Sequence, residues 1–369
     1  MRVAVVGGGI VGLFAAYYSL REGLDVTVFE AKELGNGSVH AAGLIEPYRF
    51  DRINTSSMIL KMIRYVKSRT TAIRQIDVPW LSQLLKELNR PPPVEAWEIM
   101  RKMAKFSLSE YARLAEERND FDYRSDGLME LHSTRESLEK GMEEERGSPF
   151  SPKFEVVEYP GFYGAIYFPE LSHLSTDQFV KRMNREIDKA EVKIKRVDRI
   201  SGGRVRAEGK EEEFDKVIVA AGVWSKNLGL PVTSFKGYGY WVKVKETIKF
   251  PLVPVDQGVA IAPLTSACKI TGGFDMDFTN DLSRAELFLQ NARKIVKVEE
   301  VLDLKMGFRP CTPTGFPILC AVGDLVIATG NCRLGWSYAP SMGQMAVELA
   351  IGKAKNPIYL SDYCSKVNA

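Results

Sequence analysis

The chain opens Met1-Arg2 and then runs from Val3 to Leu20, VAVVGGGIVGLFAAYYSL, without a charged side chain. An apolar run of that length sits at the low edge of what a membrane-spanning helix needs, and a basic residue ahead of it also suits a secretory leader. The glycines decide against both. Gly7, Gly8, Gly9 and Gly12 fall within six positions, and each glycine inside a helix costs about 1 kcal/mol relative to alanine. The run therefore divides into a strand at Val3–Val6, a tight turn, and a helix from Ile10 to about Glu22. After Gly23 a β-branched run, Asp25 to Glu30, ends in an acid. Strand, Gly7-x-Gly9-x-x-Gly12, helix, strand and acid together make a dinucleotide-binding fingerprint in its required setting. Gly7 makes the turn, Gly9 lets main chain approach a pyrophosphate, and Gly12 lets helix and strand pack closely. The helix N-terminus at Ile10 and Val11 offers unpaired N–H groups to the phosphates. Glu30 is placed to accept hydrogen bonds from a ribose 2′-OH and to repel a 2′-phosphate.

At 369 residues the chain exceeds what one hydrophobic core usually supports, so two domains are expected. A hydrophobic content of 45% and a charged content of 26% are those of a soluble globular protein. The net charge of +3 is too mild to make nucleic acid or an anionic membrane the main partner. No second apolar run approaches spanning length, so no transmembrane helix is expected. The five cysteines form no CxxC pair and are odd in number, which predicts reduced thiols in a cytoplasmic protein. The three histidines, His40, His132 and His173, show no zinc spacing with them, and no metal is expected; His132 and His173 read as structural.

Along the chain, Ala31–Gly43 is small and glycine-rich, either a loop against a ligand or a plain surface loop. Helices are predicted over Asn54–Lys67 and Val94–Arg118, separated by Pro91–Pro93, and a short strand at Leu128–His132 precedes a charged helix ending near Gly147. SPFSPK at Ser148–Lys153 reads as a boundary. Beyond it a second nucleotide-domain block is expected: AIYFP as a strand, a helix capped by Ser175 or Thr176 and reaching Lys189, EVKIKRV as one strand, and FDKVIVAAG as a buried strand entering a tight turn. From Phe235 to Phe274 FKGYGYWVKV, QGVAIAP and ACKITGGF predict an antiparallel sheet, and Leu282–Arg293 a helix. DLVIATG reads as a strand, NCRLGWS as a turn, and Tyr338–Ile351 as the last helix.

These blocks together resemble the D-amino-acid oxidase (DAO) superfamily of flavoproteins, with glycine oxidase and the bacterial D-amino-acid dehydrogenases the most similar branches. VAVVGGGIVGLFAAYYSLREGLDVTVFE is similar to the family's FAD-binding start, SVHAAG to its next flavin-contacting loop and VIVAAGVWS to its second glycine turn. PVTSFKGYGYW, GFRPCTPTGFPI and GNCRLGWSYAPSMGQ resemble further family blocks in the right order. The resemblance implies an α/β fold: a Rossmann-like FAD-binding domain on a parallel sheet, and a substrate domain built on an antiparallel sheet with helices. It implies that 1–75, 150–230 and 310–369 form the FAD domain and that 76–149 and 231–309 form the substrate domain. It further implies cofactor contacts from Gly7, Gly9, Ile10, Val11, Gly12, Glu30, Ser38, His40, Ala41, Ala42, Gly43, Val197, Ala221, Gly222, Trp224, Gly330, Arg333, Leu334, Gly335, Trp336 and Ser337. Sarcosine oxidases attach flavin through a cysteine that would align near Gly307, so non-covalent FAD is implied. Thr314 stands where the family often has Asp, and Asn331-Cys332 replace a common His-Gly.

The implied reaction moves a hydride from Cα of an amino acid to flavin N5, leaving an imino acid. A D-amino acid is the leading substrate. Glycine, sarcosine or a proline-like secondary amine is the rival, and an electron-relaying flavin subunit of a larger complex is a third reading. Because orientation supplies much of the rate, a carboxylate anchor is required. Arg309 in the GFRP block is the candidate, since a guanidinium grips a carboxylate through two parallel hydrogen bonds; the alternative is an ordinary ion pair. Tyr238 and Tyr240 either donate a hydroxyl to substrate or pack in the sheet. Arg333 either adds positive charge beside the flavin or substrate, or salt-bridges elsewhere. His40 either faces the flavin or fills its loop. The expected partners are a small amino acid or amine and an electron acceptor, whether oxygen, a quinone or a carrier protein. No nucleic acid is expected; peripheral membrane contact and homo- or hetero-oligomerisation are left open.

Overall fold

The computed structural model describes residues 1–367. The opening run folds as a buried strand, Arg2–Val6, a glycine turn and the helix Ile10–Arg21, and Asp25–Glu30 returns as the second strand. These strands pair in parallel and belong to a six-stranded sheet. Its order is Ile318–Val322, Leu325–Thr329, Lys216–Val219, Arg2–Val6, Asp25–Glu30, Glu191–Ile194, parallel apart from the hairpin at the first edge. The helix Gly335–Ala350 packs across Ile10–Arg21 at very short range. A Cβ on Gly343 would lie 2.6 Å from Phe14 Cβ and 2.8 Å from Ala15 N, so only glycine admits this crossing.

The second layer is an eight-stranded sheet in the order Val298–Cys311, Thr233–Val244, Cys268–Met276, Val259–Pro263, Leu252–Pro254, Leu128–His132, Gly164–Phe168, Glu155–Val157. It is antiparallel except where Leu252–Pro254 meets Leu128–His132. The α/β architecture with one parallel and one antiparallel sheet is as expected. No helix of the described residues is long and apolar enough to cross a membrane.

Several local readings are revised. The AIYFP strand does not join the nucleotide-binding sheet; it pairs with Leu128–His132, register Leu128 to Phe168, in the other one. The helix Val94–Glu117, expected in the substrate domain, buries Met100, Met103, Tyr111 and Leu114 in the same core as the first and last long helices. Tyr111 donates its hydroxyl to the Trp336 carbonyl at 2.8 Å across that contact. EVKIKRV breaks after Ile194, and Val197–Ser201 begins a separate three-stranded sheet. A helix at Val78–Lys86, absent from the sequence reading, starts on the Asp77 cap with Pro79 in its first turn. The last helix starts at Gly335 rather than Tyr338.

The cysteine reading is overturned. Cys311 is joined to Cys332 and Cys320 to Cys364, with Cα separations of 4.2 and 6.5 Å, leaving Cys268 buried and free. The pairs join segments 21 and 44 residues apart that only the tertiary fold brings together, so spacing held no sign of them. The cysteines thus no longer argue for a reducing compartment. Each such cross-link contributes about 3 kcal/mol in the chain-entropy picture. The expected thiol count of denatured, unreduced protein is one, rising to five after reduction. A count of five without reductant would refute both bridges.

Candidate active site

Three turns distant in sequence converge at the carboxyl ends of adjacent parallel strands, the place where open α/β sheets bind ligands. At the first, Gly7 has φ +106° and its absent Cβ would fall 2.4 Å from the Ala220 carbonyl oxygen. A Cβ on Gly12 would fall 1.8 Å from the Gly7 carbonyl oxygen. The second turn, Ala221-Gly222, thus lies directly on the first. The third joins it through Thr329, which donates to the Gly222 carbonyl at 3.0 Å, just ahead of Gly330. Trp224, one turn on, is exposed, with its ring edge toward Phe308.

Helix Ile10–Arg21 starts at Gly9 with no side-chain cap and no acid in its first turn. Gly8 N–H donates to Glu30 Oε2 at 2.7 Å and Ile10 N–H to Ser38 Oγ at 2.9 Å, while Val11 and Gly12 continue the first turn. Helix Gly335–Ala350 likewise starts at Leu334 without a capping side chain or an acid, opening with Gly335, Trp336 and Ser337. Apart from the Ser38 hydroxyl on Ile10, neither N-terminus is met by a capping side chain of its own or by an acid in its first turn, so both keep partial positive charge beside the glycine turns.

The Ser38–Gly43 loop is tied to both layers. Trp336 Nε1 donates to Ser38 O at 2.9 Å, and Thr176 Oγ1 to Val39 O at 2.8 Å. Lys269, from the antiparallel sheet, donates to Val39 O and to Thr176 Oγ1. Ala41 and Ala42 pack inward, and Gly43 passes under the Leu174 carbonyl. His40 Nδ1 is buried without a hydrogen-bond partner. Burial and the neighbouring Lys269 and Lys305 pull the His40 pKa down to about 4, so the ring is neutral at pH 7. Val197 sits half-buried against the cluster that includes Phe29, next to Glu30.

The strands Thr233–Val244 and Val298–Cys311 form the floor. Their register pairs Phe235 with Arg309 and Gly237 with Gly307, so these residues share a face. A Cβ on Gly237 would strike the Arg309 guanidinium at 2.4 Å, and one on Gly239 the His40 carbonyl at 2.7 Å. The missing side chains make room for Arg309 and the His40 loop. Arg309 is partly buried and donates from Nη1 to the Gly273 carbonyl at 2.8 Å. Among the described residues no carboxylate lies within ion-pair reach of it. Burial, together with Arg333, draws its pKa down to about 10.

The pleat turns Tyr238 and Tyr240 to the opposite face. Both are buried against the helix Ala285–Arg293, Tyr238 stacked on Phe288 and donating its hydroxyl to Asp275 at 3.0 Å. The packing alternative is the one realised, since neighbours on a strand alternate faces and the glycines occupy Arg309's face. Arg333 is not a free cation. It donates to Asp51 at 2.8 Å, to Glu46 at 3.0 Å and to the Arg49 carbonyl. Its charge is matched by two carboxylates. Lys269 was missed by the sequence reading: it is fully buried, its ammonium 4.0 Å from the centre of the Trp241 ring, and burial lowers its pKa to about 7. A lysine between a cysteine and a β-branched run carries no sequence signal for such a role.

The DAO family profile, FAD dependent oxidoreductase, matches residues 2–349. The chain belongs to the DAO family of FAD-dependent oxidoreductases. It is 40% identical over 356 residues to a D-proline dehydrogenase of Pyrobaculum islandicum, covering 96% of each chain. It is 23% identical to a D-amino acid dehydrogenase of Helicobacter pylori, covering 95% of this chain and 94% of that one. Among solved structures, glycine oxidase from Geobacillus kaustophilus superposes with a TM-score of 0.73 at 18% identity over 98% of both chains. The two helix N-termini, the close-packed glycine turns and the unpartnered His40 nitrogen fit this family's cofactor, FAD.

Burial gives Lys269 a pH signature. Its pKa falls from the ordinary 10.5 to about 7, so between those values the folded state binds fewer protons than the unfolded. Its contribution to stability therefore rises from about pH 7 toward pH 10.5, and acidification loses it over that same interval, with no further change below 7. Lys269→Met is expected to remove that slope from the unfolding free energy measured by urea titration; parallel wild-type and variant curves would refute the assignment. Glu30→Arg replaces an acceptor with a cation, and a lost hydrogen bond to a charged group is worth about 1.5–3 kcal/mol. FAD retention after dilution and gel filtration is expected to fall at least tenfold, and acid precipitation of wild type to leave FAD in the supernatant. Unchanged retention would remove Glu30 from the ribose.

Proposed function

We propose that this chain is an amino-acid dehydrogenase that oxidises a D-amino acid, with D-proline the leading substrate, to its cyclic imino acid. One observation carries the reading: a guanidinium, Arg309, stands without a carboxylate partner on a glycine-cleared face opposite the loop that family likeness places against flavin. A partly desolvated arginine of that kind is costly unless a ligand anion completes it. An amino-acid carboxylate fits its fork through two hydrogen bonds. The 40% identity to a D-proline dehydrogenase over nearly the whole chain supports the choice of substrate.

FAD, when bound, supplies the acceptor for the hydride leaving Cα. The protein's own part is to fix the carboxylate at Arg309, hold the ring of the substrate against the Gly237–Gly239 floor, and keep its amine unprotonated. Arg309 contributes to the last task, because a positive neighbour disfavours an ammonium ion. The neutral His40 adds no charge. The amine then enters with its lone pair free, and no side-chain base is needed for C=N to form. Glycine or sarcosine is the second reading, since Arg309 would hold their carboxylate equally well. A subunit that only relays electrons would have no use for an unpaired arginine at this position.

Anaerobic flavin bleaching tests the assignment. D-proline is expected to reduce the isolated holoprotein, with L-proline, glycine and sarcosine slower. Arg309→Lys is expected to slow reduction by D-proline at least a hundredfold with FAD still bound, because a point charge cannot replace the fork. Pyrrolidine, which lacks the carboxylate, should be a poor substrate for wild type and indifferent to the substitution. Wild-type reduction kinetics in the variant would exclude Arg309 as the anchor.

A further inference from the structure

The segment from Arg52 to Ile76 contains six cations and no Asp or Glu, twice the net charge of +3 carried by the whole chain. Within it lies the helix Ser56–Lys67, none of whose twelve residues is fully buried. Leu60, Ile63 and Val66 face solvent. The next helix, Val78–Lys86, turns Trp80 and Leu84 inward and exposes Val78, Leu81 and Leu85. The helices are fastened together: Asn54 donates to the Glu87 and Arg90 carbonyls, Ser56 N–H to Asn89, and Met62 packs on the Trp80–Leu84 cluster beneath. With Ile73 and Ile76 between them, the segment holds eight of the nineteen large apolar side chains exposed among the described residues. That concentration is far above the scatter expected of a soluble surface.

Charge selects the occupant. Arg64, Lys67, Arg69 and Lys86 are exposed, and none has an ion-pair partner among the described residues, in contrast to Lys61 and Arg74. Aliphatic side chains set among free cations are the pattern of a helix lying in the headgroup layer of an anionic bilayer. A second copy of this face would bring the same cations together across a two-fold contact, which repels. A partner protein's anchor sites would more typically be aromatic, and Trp80 points inward.

We propose that the surface formed by Ser56–Lys67 and Val78–Lys86 docks the protein peripherally on an anionic lipid membrane. The apolar side chains enter the acyl boundary, and the cations meet the lipid phosphates. The exposed side chains that would meet the lipid are not those that reach the site, which is touched from the buried face by Trp80 through the Cys311 carbonyl and the Phe235 ring.

Co-sedimentation of the purified holoprotein with vesicles tests this. Vesicles of phosphatidylcholine mixed with phosphatidylglycerol are expected to pellet the protein at low salt, pure phosphatidylcholine far less, and high salt to release it. Leu81→Asp with Leu85→Asp should reduce pelleting more than tenfold, and Arg64→Glu with Lys67→Glu by a similar factor. Each cation near such a surface is worth about fivefold in partition. Both double variants should keep FAD content and wild-type sedimentation velocity. Wild type left in the supernatant with anionic vesicles would overturn the proposal, as would pelleting unaffected by both double variants. A wild-type dimer dissociated by Leu81→Asp with Leu85→Asp would give the face to a second copy instead.

Discussion

The contact on which the architecture rests is main chain on main chain around Gly7. The Gly12 Cα lies so near the Gly7 carbonyl, and Gly7 so near the Ala220 carbonyl, that no Cβ fits at either glycine. This brings the first helix onto its strand and the second glycine turn onto the first. Because Thr329 reaches the same turn, three separate parts of the chain meet at one sheet edge. The Gly343–Phe14 crossing does the same for the two helices whose N-termini border that edge. Close packing of this kind has little slack, and it sets where the Ser38–Gly43 loop must run.

The floor of the site follows from the two-residue period of a strand. On Thr233–Val244 the odd positions 235, 237 and 239 face Arg309 and the His40 loop, while Tyr238 and Tyr240 face the helix behind. Asp275, held by Arg284 at 2.8 Å and by the Tyr238 hydroxyl, is committed to the back of the sheet. The front keeps an arginine with no acid to neutralise it.

Two arginines of similar promise in sequence end in different electrical states. Arg333 is matched by Glu46 and Asp51, whereas Arg309 has only a carbonyl. The difference lies in residues 46 to 51, a stretch with no sequence motif, which folds beneath the last turn. Lys269 is a similar case. Its position on the strand was legible, but its burial under the Ser38–Gly43 loop depends on packing between the two sheets.

The sequence alone determined the nucleotide-binding start, since glycine spacing, β-branching and a terminal acid are local requirements of one strand–turn–helix–strand unit. It also placed most strands and helices within a few residues, and through the GFRP and NCRLGWS blocks it singled out Arg309 and the turn beside it. Tertiary structure alone decided which sheet the Gly164–Phe168 strand joins, which face the tyrosines take, and which cysteines pair. It also decided which arginine stays unpaired. In each case the deciding partner lies tens to hundreds of residues away, and local propensity is the same for either outcome. Strand register and close packing choose between them, because a one-residue change of face exchanges buried for exposed along the whole strand.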